Sequence, residues 1–178
     1  MHRSTQFTVA VLHFVLAFAG PAAAADVDQP VTAIERLFRS GQTVQAFQRV
    51  DRAIAAQPGD PALRFLLGVM LTESKRETEA IQTFERLTQD FPELPEPFNN
   101  LAVLLAAQGQ IDRSRALLEV ALRNDPTYLT AHQNLGDVFA RLAVRAYAAA
   151  ASTARVDDNL ARKLRLAREL AGAASTAR

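Results

Sequence analysis

The sequence predicts an all-α fold built from antiparallel helix pairs stacked into a solenoid. Three observations predict it. Pro58, Pro92 and Pro126 stand 34 residues apart. The phrases Arg-Phe-Leu-Leu-Gly-Val-Met-Leu from Arg64, Phe-Asn-Asn-Leu-Ala-Val-Leu-Leu from Phe98 and His-Gln-Asn-Leu-Gly-Asp-Val-Phe from His132 recur with the same interval. Within each unit the apolar residues fall at i, i+3, i+4 and i+7, the spacing of an amphipathic helix. A fixed period of this size means one small supersecondary unit that buries its apolar face against the next copy of itself.

The chain opens with a polar start holding His2 and Arg3, then an apolar run from Phe7 to Ala19, then Gly20-Pro21 and the small residues Ala22 to Ala25. That order predicts a secretory signal peptide, residues 1–25, cleaved after Ala25. The run is 13 residues and contains His13, against the roughly 20 apolar residues of a spanning helix. No stable membrane insertion is therefore expected after cleavage, and the expected location is the periplasm. With no cysteine in the chain, lipid anchoring through cysteine, disulfides and thiolate metal sites are excluded.

The remaining 153 residues carry 19 basic and 19 acidic side chains. This balance is not that of a nucleic-acid binder. It is unevenly spread. Residues 26–140 hold 11 basic and 16 acidic side chains, and residues 141–178 hold 8 and 3. A basic end of this kind can dock an acidic partner or the acidic body of a second copy, so self-association is a possible mode.

The helices follow in order. The first unit, about residues 27–60, keeps Leu37, Ala46, Val50, Ala53 and Pro58. The second, 61–94, opens on Asp60-Pro61, a capping side chain ahead of a proline that needs no hydrogen bond at the first helical position. Leu63, Leu66, Leu67, Met70 and Leu71 form one apolar face; Ala80, Ile81, Phe84 and Leu87 form the next. The third unit, 95–128, repeats this with Leu101, Leu104 and Leu105, then Ala116, Leu117, Leu118, Ala121 and Leu122. Gly41 and Gly109 mark the turns inside their pairs, where a left-handed residue ends a helix. Lys75 holds the same place in the second pair, at a cost of about 1 kcal/mol if positive φ is required. The fourth unit, 129–155, starts with Leu135, Gly136 and Phe139. It has Ala143 where the turn glycine falls, Ser152 at the large apolar position and Leu160 instead of proline. Its second helix is therefore expected to run on from the first. Asp157-Asp158-Asn159 then cap an amphipathic helix with Leu160, Leu164, Ala167 and Leu170-Ala171 on its packing face. This is read as the capping helix of the array, 156–174, with 175–178 frayed.

These residues resemble the tetratricopeptide repeat (TPR), whose pattern runs W-x2-L-G-x2-Y, A-x3-F, P. Leu67-Gly68, Leu71, Ala80, Phe84 and Pro92 match it, and the third unit matches with Ala102 and Ser114 as small-residue substitutes. The resemblance implies a right-handed superhelix of about 3.5 to 4 repeats, from about Val27 to Arg155. It also implies close helix contacts at Gly68 and Gly136, where Gly68→Leu and Gly136→Leu are each expected to cost roughly 1–3 kcal/mol by overpacking.

In this family the first helix of each pair lines a concave groove. Carried onto matching positions, the groove takes Val31, Glu35 and Phe38 from the first unit and Phe65, Val69, Thr72 and Glu73 from the second. The third supplies Glu96, Asn99 and Val103, and the fourth Gln133, Asp137 and Arg141. The implied partner is a protein or peptide segment with apolar anchors flanked by basic residues. Phe65→Ala is expected to weaken binding with little effect on melting. No catalytic, cofactor or metal residue is assigned. His132 is the sole histidine beyond the leader, and with Asp137 it would be the starting point of a hydrolase. It occupies the column of Phe98 and reads instead as a packing residue with a solvated edge. The implied function is a non-enzymatic adaptor, in an envelope-assembly role by resemblance alone, with a self-assembling module as the alternative.

Overall fold

A computed structural model describes residues 30–153 and 157–176, without the side chains of 173–176. The expected signal peptide lies outside these residues. Among the described residues there are eight helices and no strand: α1 (Pro30–Arg39), α2 (Thr43–Ala56), α3 (Pro61–Glu73), α4 (Glu77–Asp90), α5 (Pro95–Ala107), α6 (Ile111–Asn124), α7 (Leu129–Thr153) and α8 (Asp158–Thr176). They fall into two compact units, residues 30–91 and 92–176.

In the unit 30–91, α1 pairs with α2 and α3 with α4, and α3 also packs on α1 and α2. The Asp60 carboxylate accepts the Ala62 N–H at 2.8 Å, and Pro61 opens α3. The turns share one geometry. Gly41 has φ 79° and Lys75 has φ 61°. The next N–H in each reaches back five residues, Gln42 to the Leu37 carbonyl and Arg76 to the Leu71 carbonyl, which closes the helix end. Ile34, Ala46, Val50, Leu63 and Met70 are fully buried and form the core. Gly68 lies against Phe84: a Cβ added there would stand 2.6 Å from Cζ and 2.7 Å from Cε1 of that ring. At the far end Arg64 pairs with Asp90 at 2.6 Å and lies over the Phe91 ring.

In the unit 92–176, α5 packs on α6 and α7, and α6 on α7. Gly109 repeats the left-handed turn at φ 79°. The core holds Phe98, Ala102, Leu118, Ala121, Tyr128, Ala131 and Val138. Ser114 is buried at the position occupied by Ala46 and Ala80 in the earlier pairs, as its role as a small-residue substitute requires.

The pattern then changes as the missing turn glycine predicts. Ala143 sits inside α7, which runs unbroken for 25 residues. One expectation for the fourth unit fails for this reason. A Cβ at Gly136 meets nothing within 4 Å, so the close helix contact expected there is absent. Phe139 is 49 % exposed, whereas Leu71 and Leu105 in its column are buried. The residue corresponding to Phe84 is Ser152, and it lies in the same straight helix, 16 residues or about 24 Å from Gly136. It cannot fold back onto it.

α8 packs against α7 instead. Asp157 caps it, its carboxylate accepting the Leu160 N–H at 2.7 Å. Ala167 is buried and Leu160 and Leu164 half-buried, as a capping helix requires. Leu170, expected on that face, is 64 % exposed, because its angular position lies nearer to that of Leu166 than to that of Leu164. Helix α8 continues to Thr176, two residues into the segment expected to fray.

Candidate functional site

The residues assigned to the groove sit on the first helices of their pairs, but not all reach solvent. On α1, Val31, Glu35 and Phe38 are half-buried. On α3, Phe65 is half-buried and Glu73 exposed, while Val69 and Thr72 are buried. The Thr72 hydroxyl spends its proton within the helix, donating to the Gly68 carbonyl at 2.8 Å. Val69 is packed because α3, with α1, α2 and α4 around it, has neighbours on more than one side. Phe65 is partly structural. Its ring meets Phe84 edge-on, centroids 5.7 Å apart, so the expectation that Phe65→Ala spares the melting temperature does not hold. What α1 and α3 offer is a set of partly covered apolar side chains, Val31, Phe38 (its ring edge-on to Phe47) and Phe65, with the carboxylates of Glu35 and Glu73 and the exposed guanidinium of Arg39 on the same two helices.

In the unit 92–176, Glu96, Asp137 and Arg141 are half-buried and Gln133 is exposed, while Asn99 and Val103 are buried. Asn99 is buried because it pairs across helices: its side-chain oxygen accepts from Asn134 Nδ2 at 2.8 Å. Val103 lies in a stretch of α5 that is buried at every residue from Pro97 to Ala106. Arg141 donates to the Ala106 carbonyl at 3.1 Å, at the C-terminal end of α5, where a cation is favoured by the helix dipole.

Asn100 and Asn134 are the amides that sequence reasoning missed. Both are buried, and Asn100 donates to the Glu96 carbonyl at 3.0 Å. Their signal was legible in the sequence, since the two stand 34 residues apart at the same repeat position. The donor Nδ2 of Asn99 and the acceptor Oδ1 of Asn100 lack hydrogen-bond partners.

Glu96 titrates high. Its burial disfavours the carboxylate, its own backbone N–H partly offsets this, and Asp125 adds repulsion. Tyr128 nearby is also raised, chiefly by burial and then by Glu96 and Asp125. Its hydroxyl has no hydrogen-bond partner.

His132 corrects the packing expectation. It is exposed, and Nε2 lies 3.0 Å from the Pro126 carbonyl oxygen, so that nitrogen carries the proton and donates. It sits five residues before Asp137 on one helix, which turns the two side chains roughly 140° apart. Among the described residues no cluster of three or more metal-ligating side chains occurs. No described helix is long and apolar enough to cross a membrane.

The repeat geometry has a sequence-level counterpart. A family model for the tetratricopeptide repeat matches residues 37–97 and 71–137. The chain belongs to the tetratricopeptide-repeat family. No curated protein matches the sequence. Solved structures of the fold are similar to it at low identity. The first TPR of Spaghetti (RPAP3), bound to the HSP90 peptide SRMEEVD, is 15 % identical with a TM-score of 0.59, covering 64 % of this chain and 90 % of that one. A thermophilic TPR protein of Thermus thermophilus is 19 % identical with a TM-score of 0.57, covering 82 % and 86 %. MamA from residue 41 to its end, from Desulfovibrio magneticus RS-1, is 17 % identical with a TM-score of 0.55, covering 81 % and 75 %. At these identities the likeness establishes the fold alone. The TPR family supplies the chemistry of a surface that holds protein segments, with no catalytic constellation of its own.

Proposed function

We propose that this TPR chain is an exported, non-enzymatic adaptor. It holds a protein segment with apolar anchors and flanking basic residues, and it serves cell-envelope assembly. The observation that carries the binding reading is the α1–α3 surface, where half-buried Val31, Phe38 and Phe65 stand beside Glu35 and Glu73. An apolar anchor gains by covering the rings. The carboxylates favour basic flanks and speed their approach. A related fold, the first TPR of Spaghetti (RPAP3), was solved with a peptide bound, which supports a segment-binding role. Export rests on the order of residues 1–25, and the envelope setting rests on that export.

The test is a binding titration with a fluorescent lysine- and leucine-rich peptide. Phe65→Ala should raise the dissociation rate and Glu73→Lys should slow association at low salt. Gln82→Lys, on the exposed side of α4, should change neither. Loss of binding in the α4 variant with retention in the other two would put the partner on the second helices and sink the assignment. Export is checked by the intact mass of the protein recovered from the periplasm, expected to begin at Asp26.

A further inference from the structure

We infer that Glu96, Asp125 and Tyr128 form a receptor for a primary ammonium group, the tip of a lysine side chain on a bound protein segment. The site lies wholly within the unit 92–176. It is separate from the α1–α3 surface, so either can fail without the other.

Local contacts bring the three residues together. Asn124 Nδ2 donates to the Pro92 carbonyl at 2.7 Å, which ties the corner after α6 to the corner before α5. Glu96 is the second residue of α5 and is half-buried. Asp125 is fixed by its own turn. Its Oδ1 accepts from the Thr127 N–H at 2.8 Å and from the Thr127 hydroxyl at 2.7 Å, which leaves Oδ2 for another donor. The Tyr128 N–H donates to the Asp125 carbonyl at 3.2 Å. The Tyr128 ring belongs to the core with Phe98. The residue is 6 % exposed, and its hydroxyl has no partner.

The groups act on one another. Asp125 disfavours the charged form of Glu96, and both carboxylates disfavour ionisation of Tyr128. The Tyr128 hydroxyl therefore faces a pair of carboxylates while hydrogen-bonding to neither. His132, on α7, acts on Asp125, and its Nε2 is engaged by the Pro126 carbonyl. No lysine or arginine among the described residues acts on any of the three. A cation beside Glu96 would restore the charged form that burial and Asp125 disfavour.

The chemistry of the ligand follows from what is unmatched. Carboxylate oxygens accept only, and a phenol oxygen can also accept. An ammonium offers three donors around one compact charge, one for each residue. Glu96 is half-buried and Tyr128 deeper, so the charge must arrive on a slim apolar stem, as it does on lysine. A guanidinium is planar and prefers two oxygens of one carboxylate, which does not suit three separate acceptors. Among the described residues no three metal-ligating side chains stand together.

The experiment is carbon-13 NMR of the side-chain carboxyls and tyrosine rings of the full chain. The probe is Nα-acetyl-lysine amide from about 0.5 to 50 mM, the range expected for a few polar contacts. The control is Nα-acetyl-norleucine amide, which has the stem without the ammonium. The lysine amide should move the Glu96, Asp125 and Tyr128 signals saturably and lower the pH midpoint of Glu96, because a cation favours its carboxylate. The norleucine amide should do neither. Glu96→Gln, and Asp125→Asn (which keeps the acceptor of the turn), should each weaken binding by about tenfold or abolish it, as loss of one charge-assisted hydrogen bond does. Tyr128→Phe should weaken binding by about threefold or more without lowering the melting temperature, since the hydroxyl it removes is buried and unpaired. A purely structural Tyr128 would leave binding unmoved, and that result removes it from the site. Phe65→Ala, in the other unit, should bind the lysine amide like wild type; loss there would put the ammonium on the α1–α3 surface and overturn the assignment. An unsaturable response, an equal response to the norleucine amide, or full binding by Glu96→Gln each overturns the inference. So does a stronger response of the same signals to about 5 mM calcium, well above the dissociation constants of weak calcium sites, which would make this a metal site.

Discussion

Gly68 and Gly136 occupy the same repeat position, yet alanine should act on them in opposite directions. In any helix interior, Gly→Ala gains about 1 kcal/mol of helix propensity. At Gly136 nothing lies within 4 Å of the added Cβ, so the gain is unopposed. Gly136→Ala should stabilise by about 0.5–1 kcal/mol, or about 1–4 °C in melting temperature for a chain of this size. At Gly68 the Cβ would stand 2.6 Å from Phe84 Cζ. Carbon atoms in contact prefer about 3.5–4.0 Å, so the ring must retreat by about 1 Å. Phe84 is fully buried and edge-packed on Phe65, and a close-packed interior leaves it little space. Overpacking of this kind costs about 1–3 kcal/mol. Net of propensity, Gly68→Ala should destabilise by about 0–2 kcal/mol, a gap of about 1–3 kcal/mol from Gly136→Ala. Urea melts of both variants read this directly. A double-mutant cycle with Phe84→Leu should show that the smaller side chain relieves at least about 1 kcal/mol of the Gly68→Ala cost. Equal stabilisation by both alanines would refute the claim that α7 lacks the helix contact that α3 has.

Three further outcomes follow from single positions. Lys75→Gly should stabilise by about 1 kcal/mol, since Lys75 alone among the described non-glycine residues has positive φ; an unchanged or lower urea midpoint would show that its side chain compensates. Ser114→Ala should stabilise by about 1 kcal/mol, because its buried hydroxyl has no partner and the same position holds alanine in both earlier pairs; a destabilised variant would reveal a hydrogen bond there. Glu96→Gln should stabilise the protein at neutral pH. A carboxyl whose folded pKa is raised opposes folding at pH above that pKa, and the penalty disappears as pH falls through it to the ordinary carboxylate value. The advantage of the Glu96→Gln variant should therefore shrink as melts are taken from pH 7 toward 4, and an advantage independent of pH would rule out titration of Glu96 as its cause.

The surface residues were the least legible part. Repeat position told which helices carry Val69, Thr72, Asn99 and Val103, but all four are buried. Position in a repeat fixes the direction a side chain leaves its helix. It does not fix what stands opposite, and the Asn99–Asn134 bond joins residues whose pairing depends on how α5 and α7 pack. Phe65 shows the same limit, since its contact with Phe84 makes it part core and part surface. The same holds for His132, read from its column as packed and found exposed.

What the sequence determined by itself is everything that depends on local chemistry and on period. The 34-residue spacing of prolines, the capping Asp60 and Asp157, and the left-handed positions 41, 75 and 109 all set helix ends through contacts within a few residues. Even the run-on helix α7 was readable, because alanine at 143 continues a helix where glycine would end it. What the tertiary structure decided is which of two equivalent positions is crowded. Gly68 and Gly136 each follow a leucine at the same point of the repeat. Only the return of α4 brings Phe84 over one of them, and close approach is a property of two helices, not of one.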